Sequence, residues 1–341
     1  MKKRIVSILL VMMMALSLAA CGTNEVTEDS ANDSDKGSSK ELTELTFVLD
    51  WTPNTNHTGL YVAQENGYFE EAGLKVNIVQ PPEGGAELLV GSGEAEFAIS
   101  FQDSMMPALT GENALPIEAV AAVIQHNTSG IISRAGEGMD RPAGMEGKKY
   151  ATWDLDLEKA TIKQVVEKDG GDFSKVELIP STVTVDVSAL KSKSVDAIWI
   201  FYGLAGVAAE VAGLETDYFE FAEIDPVFDF YTPVIIGNSD WMAENPDTTK
   251  AFLRAVKQGY EFAIEDPEAA ADILLEAAPE LDETLVYASQ EYLKDEYKAE
   301  VEQWGYIDPA RWNTFYQWVN ENGLSETEIP ENTGFNNDYL E

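Results

Sequence analysis

The ten residues DWTPNTNHTG, Asp50 to Gly59, follow the β-branched run LTFVL and gather an indole, two carboxamides and one of the chain's two histidines. Their chemistry is that of recognition: Trp51 offers a flat face for stacking, and Asn54 and Asn56 each bring a donor and an acceptor. Pro53 stiffens the exit from the preceding strand and keeps Thr52 extended. Thr58 can cap a helix that begins near Gly59, which places His57 beside a positive helix end where neutral imidazole is favoured. Other aromatic residues fall where strands are expected to finish: Trp153 after KYAT, Tyr202 closing VDAIWIFY, and Tyr231 in VFDFYTP. Trp199 and Phe228, embedded in apolar alternation, read as core. Ligands lodge outside the carboxyl ends of parallel strands. Trp51, Asn54, Asn56, His57, Trp153, Tyr202 and Tyr231 are therefore expected to line a cleft, joined by Gln102 and Asp103 after the strand AEFAIS.

Catalytic signatures are missing. The chain has one cysteine and two histidines, which excludes a Cys/His zinc site. It has no GxSxG elbow, phosphate-binding GxxxxGK[ST] loop or GxGxxG after a strand. The glycines of GSGEAE sit between a helix and a strand, the wrong order for a phosphate cradle, and read as a turn. Carboxylate pairs such as Glu70–Glu71 and Asp154–Asp156 read as solvated faces. No catalytic residue and no cofactor is expected. None of the five arginines falls at a predicted strand end, which favours a neutral or cationic ligand over an anion.

The formal net charge is −39, and loss of a leader holding three basic residues and no acid takes it to −42. Nucleic acid and anionic lipid would be repelled. The leader itself is MKKRIVSILLVMMMALSLAA, residues 1–20: a basic start, a short apolar run, then small residues, the layout of an export signal. LAAC resembles a bacterial lipobox, so Cys21 is expected to carry lipid and anchor the chain to the extracytoplasmic face of a bacterial cell membrane. Residues 21–42, rich in Ser, Asp, Asn and Glu, read as a disordered acidic tether.

Behind the candidate cleft, short β-rich runs alternate with helical patterns. LTFVLD, LKVNIVQ, AEFAIS and IEAVAAVI are separated by helices over 58–73, 84–93 and 103–111. The alternation restarts after residue 130 with KYATW, a helix over 156–170, KVELIP, a helix in VDVSALKSK, and VDAIWIFY. LAGVAAEVAG (204–213) and DYFEFAE (217–223) follow, then the β-rich FDFYTPVIIG (228–237). The remainder is helical, with boundaries at Pro246, Pro267, Pro279 and Pro309. Strands separated by single helices imply parallel sheets. The fold class expected is α/β with two lobes: residues 43–130 plus 233–341 form lobe one, residues 131–232 form lobe two, and the chain crosses between them twice.

LTFVLDWTPNTNHTGLYVAQENGYFEEAGLKVNI resembles the opening of the thiamine-precursor binding proteins of ABC importers, a superfamily that includes the fungal thiamine-pyrimidine synthases and the sulfonate- and nitrate-binding proteins. GAELLVGSGEAEFAIS, VDAIWIFYG with PVFDFYTPVI, and NTGFNNDYL extend the likeness along the mature chain. The resemblance implies a type 2 periplasmic-binding-protein fold that closes on an aminopyrimidine such as a formylated aminomethylpyrimidine. It implies a membrane permease as partner, and a monomer is expected. Where the family has a small residue, a Trp and an acid after the aromatic pair, this chain reads Gly203-Leu204-Ala205. The ligand could then be another heterocycle such as a flavin, or the same pyrimidine held otherwise, with Asp103 or Glu83 as substitute acid. The synthases rely on a cysteine-rich motif, an active-site His and pyridoxal phosphate on a Lys, and this chain has no spare cysteine. The expected mechanism is lobe closure, with the ring stacked on Trp51 and Tyr202 from opposite lobes.

Overall fold

The computed structural model describes residues 42–82, 85–112, 114–181 and 187–341. The leader, Cys21, the tether up to residue 41 and Glu83 lie outside the described residues. The first sheet contains β1 (Thr43–Val48), β2 (Leu74–Val79), β3 (Phe97–Ser100), β4 (Ile117–Ala122) and β10 (Val234–Asn238). The second contains β5 (Ser129–Arg134), β6 (Lys149–Thr152), β7 (Glu177–Pro180), β8 (Ala197–Phe201) and β9 (Thr216–Glu220). Their orders are β2-β1-β3-β10-β4 and β7-β6-β8-β5-β9. Each sheet is parallel except for the strand that arrives from the other lobe: β10 runs antiparallel to β3 and β4, and β5 to β8 and β9. The two α/β lobes and two crossings expected from the alternation are present, the crossings lying between β4 and β5 and between β9 and β10.

Strand β5 is not among the β-rich runs that the sequence predicts. SGIISR carries two apolar residues, yet all six positions are buried, so no alternation marks it. Gly130 is required there, since a Cβ would lie 2.2 Å from the Phe219 carbonyl oxygen. Arg134 is tolerated because its guanidinium donates to Glu137 and Asp196 at 2.7 Å and to the Leu190 and Val195 carbonyls at 2.9 Å. FDFYTPVIIG, expected to be β-rich throughout, pairs as a strand only from Val234. Before that, Tyr231 exchanges its backbone bonds with Gln102, whose side-chain oxygen accepts from Tyr231 N–H at 2.9 Å. The single helix expected over 58–73 is two, Thr58–Glu65 and Tyr68–Glu71, broken where Gly67 takes φ +74°. The tail expected to be helical opens with a short helix at Ser239–Glu244.

Four helices complete lobe one: Pro246–Glu265, Pro267–Ala277, Glu283–Glu296 and Pro309–Glu321. Three open on proline, and Asp266, Asp282 and Asp308 cap the last three. Among the described residues, no helix is long and apolar enough to cross a membrane. The last helix packs its aromatic residues on the returning crossing, with Phe315 stacked on Phe230 at 4.3 Å and Trp318 edge-on to Phe228 at 5.0 Å.

Beside that packing, His126 on the outgoing crossing donates to Asp229 at 2.8 Å and to Glu300 at 2.9 Å. The Asp229 hydrogen bond pushes the His126 pKa up to about 9, against burial and the nearby Arg311 cation, with Glu300 adding to the rise. Glu220 and Glu296 face the same imidazole, and burial together with Glu223 raises Glu220 to about 7. A histidine pKa raised on folding contributes stability that is complete below the unfolded value of about 6.5 and lost as pH rises through the folded value. The stability lost in His126→Gln should therefore be greatest near pH 6 and fade toward pH 10. Urea denaturation of both proteins across that range tests this, and a pH-independent difference would contradict it.

Candidate functional site

Between the lobes lies a slot of about 210 Å³ at the carboxyl ends of β1, β6 and β8. Lobe one and the returning crossing contribute Asp50, Trp51, Asn54, Asn56, Phe101, Thr232 and Pro233 to its walls. Lobe two faces them with Trp153, Trp199, Phe201 and Leu204. Phe101 and Phe201 stack across the gap, with ring centres 6.4 Å apart and planes 16° from parallel. Trp51 is 55% exposed at the mouth, whereas Trp199 is buried and leans on Trp153 at 5.8 Å. A larger hollow of about 430 Å³ adjoins the slot and shares Asp50, Trp51 and Phe101 with it.

The loop after β1 is built from its own side chains. Asn54 accepts from Asn56 N–H at 3.0 Å and donates to the Thr52 carbonyl at 3.0 Å. The fully buried His57 receives the Asn54 N–H on Nδ1 at 3.2 Å, which leaves the ring proton on Nε2 to reach Asp50 Oδ1 at 2.6 Å. His57 thus stands behind the slot and orients Asp50, whose other carboxylate oxygen makes no hydrogen bond among the described residues. Asn56 uses its backbone for the loop: its carbonyl takes the Tyr260 hydroxyl at 2.7 Å. Its carboxamide remains free for a ligand among the described residues.

Helix Thr58–Glu65 lies so close to helix Pro246–Glu265 that both contact residues are glycine. A Cβ on Gly259 would sit 1.9 Å from the Gly59 carbonyl oxygen, and one on Gly59 would sit 2.4 Å from the Tyr260 ring. This approach brings Tyr260 within reach of the loop.

Trp51, Asn54, Asn56 and Trp153 come together in the slot. Tyr202 does not line it. Residues 199 and 201 share one face of β8 and point to the slot, so residue 202 emerges on the other side. Its ring packs on Tyr218 at 4.9 Å and Tyr292 at 5.3 Å, its hydroxyl binds Glu210, and burial followed by Glu210 raises its pKa to about 12. Tyr231 is fully buried under Arg311, and Gln102 is consumed by Tyr231 and by the Trp312 carbonyl at 2.9 Å. Asp103 lines neither hollow; burial, with Glu87 nearby, lifts its pKa to about 6. The lining residues unread in the sequence are Asp50, Phe101, Phe201, Leu204, Thr232 and Pro233, and Trp199, expected in the core, is buried and lines the slot as well. Strand periodicity could have found Phe201, two positions from Trp199.

Residues 54–270 match the family described as NMT1/THI5 like. The chain belongs to the NMT1/THI5-like family. It is 28% identical to the formylaminopyrimidine-binding protein of Halalkalibacterium halodurans, with 97% of each chain covered. It is 24% identical to the 4-amino-5-hydroxymethyl-2-methylpyrimidine phosphate synthase THI13 of Saccharomyces cerevisiae, over 71% of this chain and 74% of that one. The periplasmic aliphatic sulphonate binding protein SsuA of Escherichia coli superposes with a TM-score of 0.67 at 12% identity, over 84% of this chain and 95% of that one. The fold is that of the periplasmic binding proteins. Within this NMT1/THI5-like chain, no Arg, Lys or His lines the slot among the described residues.

The Gly59 contact gives a direct test of how the loop is held. Gly59→Ala should destabilise the protein by about 1–3 kcal/mol, the usual cost of overpacking a close contact. Chemical denaturation measures it, and an unchanged midpoint would mean that the two helices separate freely.

Proposed function

We propose that the chain is the substrate-binding protein of an ABC importer, held by lipid on Cys21 at the extracytoplasmic face of a bacterial cell membrane, and that it captures a one-ring aminopyrimidine of the formylaminopyrimidine kind for thiamine salvage. The observation that carries this reading is an aromatic slot in which the Asp50 carboxylate, the Asn56 carboxamide and the Thr232 hydroxyl keep hydrogen-bonding capacity free among the described residues. An aminopyrimidine presents an exocyclic N–H beside a ring nitrogen acceptor. The Asn56 carboxamide offers the matching donor and acceptor, and the Asp50 carboxylate accepts from an amino group. Trp51 covers one ring face from lobe one, while Trp153 and Phe201 cover the other from lobe two. A slot of about 210 Å³ suits a single substituted ring; a flavin would have to extend into the adjoining hollow.

Ligand held from both lobes favours the closed arrangement by its extra affinity for that state, and a permease can then read closure. Binding, not synthesis, is the activity assigned. The relatives that are synthases match over less of the chain, and among the described residues the slot offers neither a lysine nor a cysteine to hold or attack a reactant.

Thermal unfolding with formylaminopyrimidine, 4-amino-5-hydroxymethyl-2-methylpyrimidine, thiamine, riboflavin and an alkanesulfonate tests the reading. A ligand at about a thousandfold over its Kd adds about 4 kcal/mol, a rise of several degrees. The expected result is a rise with the pyrimidines, and a rise with riboflavin or the sulfonate alone would overturn the ligand. Stacking on an aromatic side chain is worth about 1–3 kcal/mol. Trp51→Ala should thus weaken pyrimidine binding about 10- to 100-fold in titration calorimetry while leaving the unliganded melting temperature unchanged.

A further inference from the structure

Helix Glu283–Glu296 touches both walls of the slot without lining it. At its centre Ser289 is 1% exposed. The Ser289 hydroxyl donates to the Gly203 carbonyl, which commits its one proton. In the 2.6 Å contact between Thr55 Oγ1 and Ser289 Oγ, Thr55 is therefore the donor. Thr55 lies between Asn54 and Asn56 in the lobe-one wall. Gly203 lies between Tyr202 and Leu204, in the turn that continues the lobe-two wall from Phe201. One hydroxyl thus joins the two walls through two directed hydrogen bonds.

The surroundings admit no slack at this junction. A Cβ on Gly203 would lie 2.7 Å from Leu293 Cδ2, so the turn rests directly on the helix. One helical turn beyond, the Tyr297 hydroxyl donates to the Thr55 carbonyl at 2.6 Å. The turn Tyr202–Gly206 is a single wide π turn, an irregular form that packs here between β8 and helix Val207–Val211.

We propose that Ser289 is a positioning residue for ligand capture. Its hydroxyl joins the Asn54–Asn56 loop to the Phe201–Leu204 turn and so biases the ligand-free protein toward the spacing of one flat ring, a bias that ligand then completes. The inference rests on the slot being the binding site, as proposed above. A slot preset in this way loses less ordering entropy on binding, and its loosening should appear mainly in the dissociation rate.

The test uses the full chain carrying Cys21→Ser, with spin labels attached through Leu88→Cys in lobe one and Glu177→Cys in lobe two. Without ligand, Ser289→Ala should broaden the interlobe distance distribution and move it outward. With formylaminopyrimidine as the probe, dissociation should be about tenfold faster, as expected for one lost buried hydrogen bond, and association nearly unchanged. Ser289→Thr, which keeps the hydroxyl, should restore the distances and rates. Thr55→Val removes the partner donor and should reproduce the change, with the double variant no worse than either single one. Unchanged ligand-free distances in Ser289→Ala, or additive effects of the two substitutions, would overturn the proposal. If formylaminopyrimidine fails to bind the parent protein, the ligand reading falls, and the ligand-free distances still decide the role of Ser289.

Discussion

One carboxylate keeps the two halves of this molecule in register. Asp229, on the returning crossing, accepts from the backbone of Asn127 at 3.0 Å through one oxygen. Its other oxygen accepts from His126 at 2.8 Å and from Arg311 at 3.0 Å. Both crossings and the last helix therefore converge on a single side chain. Burial alone would raise its pKa, but the His126 hydrogen bond and the Arg311 charge outweigh burial and hold it below the usual carboxylate range. Breaking one partner of such a partly buried cluster leaves the others less well compensated, which is why these arrangements act as fixed points. The aromatic packing of Phe228 and Phe230 on the last helix closes round the same point, so the back edge of the cleft is stiff.

The fold was readable because most strands obey simple patterns. LTFV, LKVNIV and AIWIF are β-branched or aromatic runs bounded by turn residues, and the helical tail is punctuated by proline. What escaped was decided by tertiary contact. β5 is buried on both faces and needs Gly130 for the close approach of β9, so neither period nor composition betrays it. Residues 228–233 have strand composition, but Gln102 supplies the hydrogen bonds that a neighbouring strand would. No local rule anticipates a side chain standing in for a strand.

The site was readable to the extent that it is contiguous. Trp51, Asn54 and Asn56 come from one loop, so a single stretch of sequence brings all three to the slot. Tyr202 and Phe201 differ by one position, and alternation along β8 sends them to opposite sides. The aromatic residue that meets the slot was therefore visible only through its parity with Trp199. Asp50 was legible as a letter but not as a role, because its importance comes from His57 occupying one of its oxygens. The same frame serves an aliphatic sulphonate binding protein at 12% identity. Ligand chemistry is thus set by the lining, which here has no cationic side chain among the described residues.

The placement of the seven tryptophans gives the protein a built-in optical property. Trp51 is 55% exposed, while the other six are buried or half-buried. A water-exposed indole emits at longer wavelength than a buried one, so light collected on the long-wavelength side of the emission band weights Trp51 over the rest. A heterocycle laid on that indole would quench its emission and leave the interior tryptophans bright. Occupancy of the mouth of the cleft is thereby written into the shape of the emission spectrum, with no label attached.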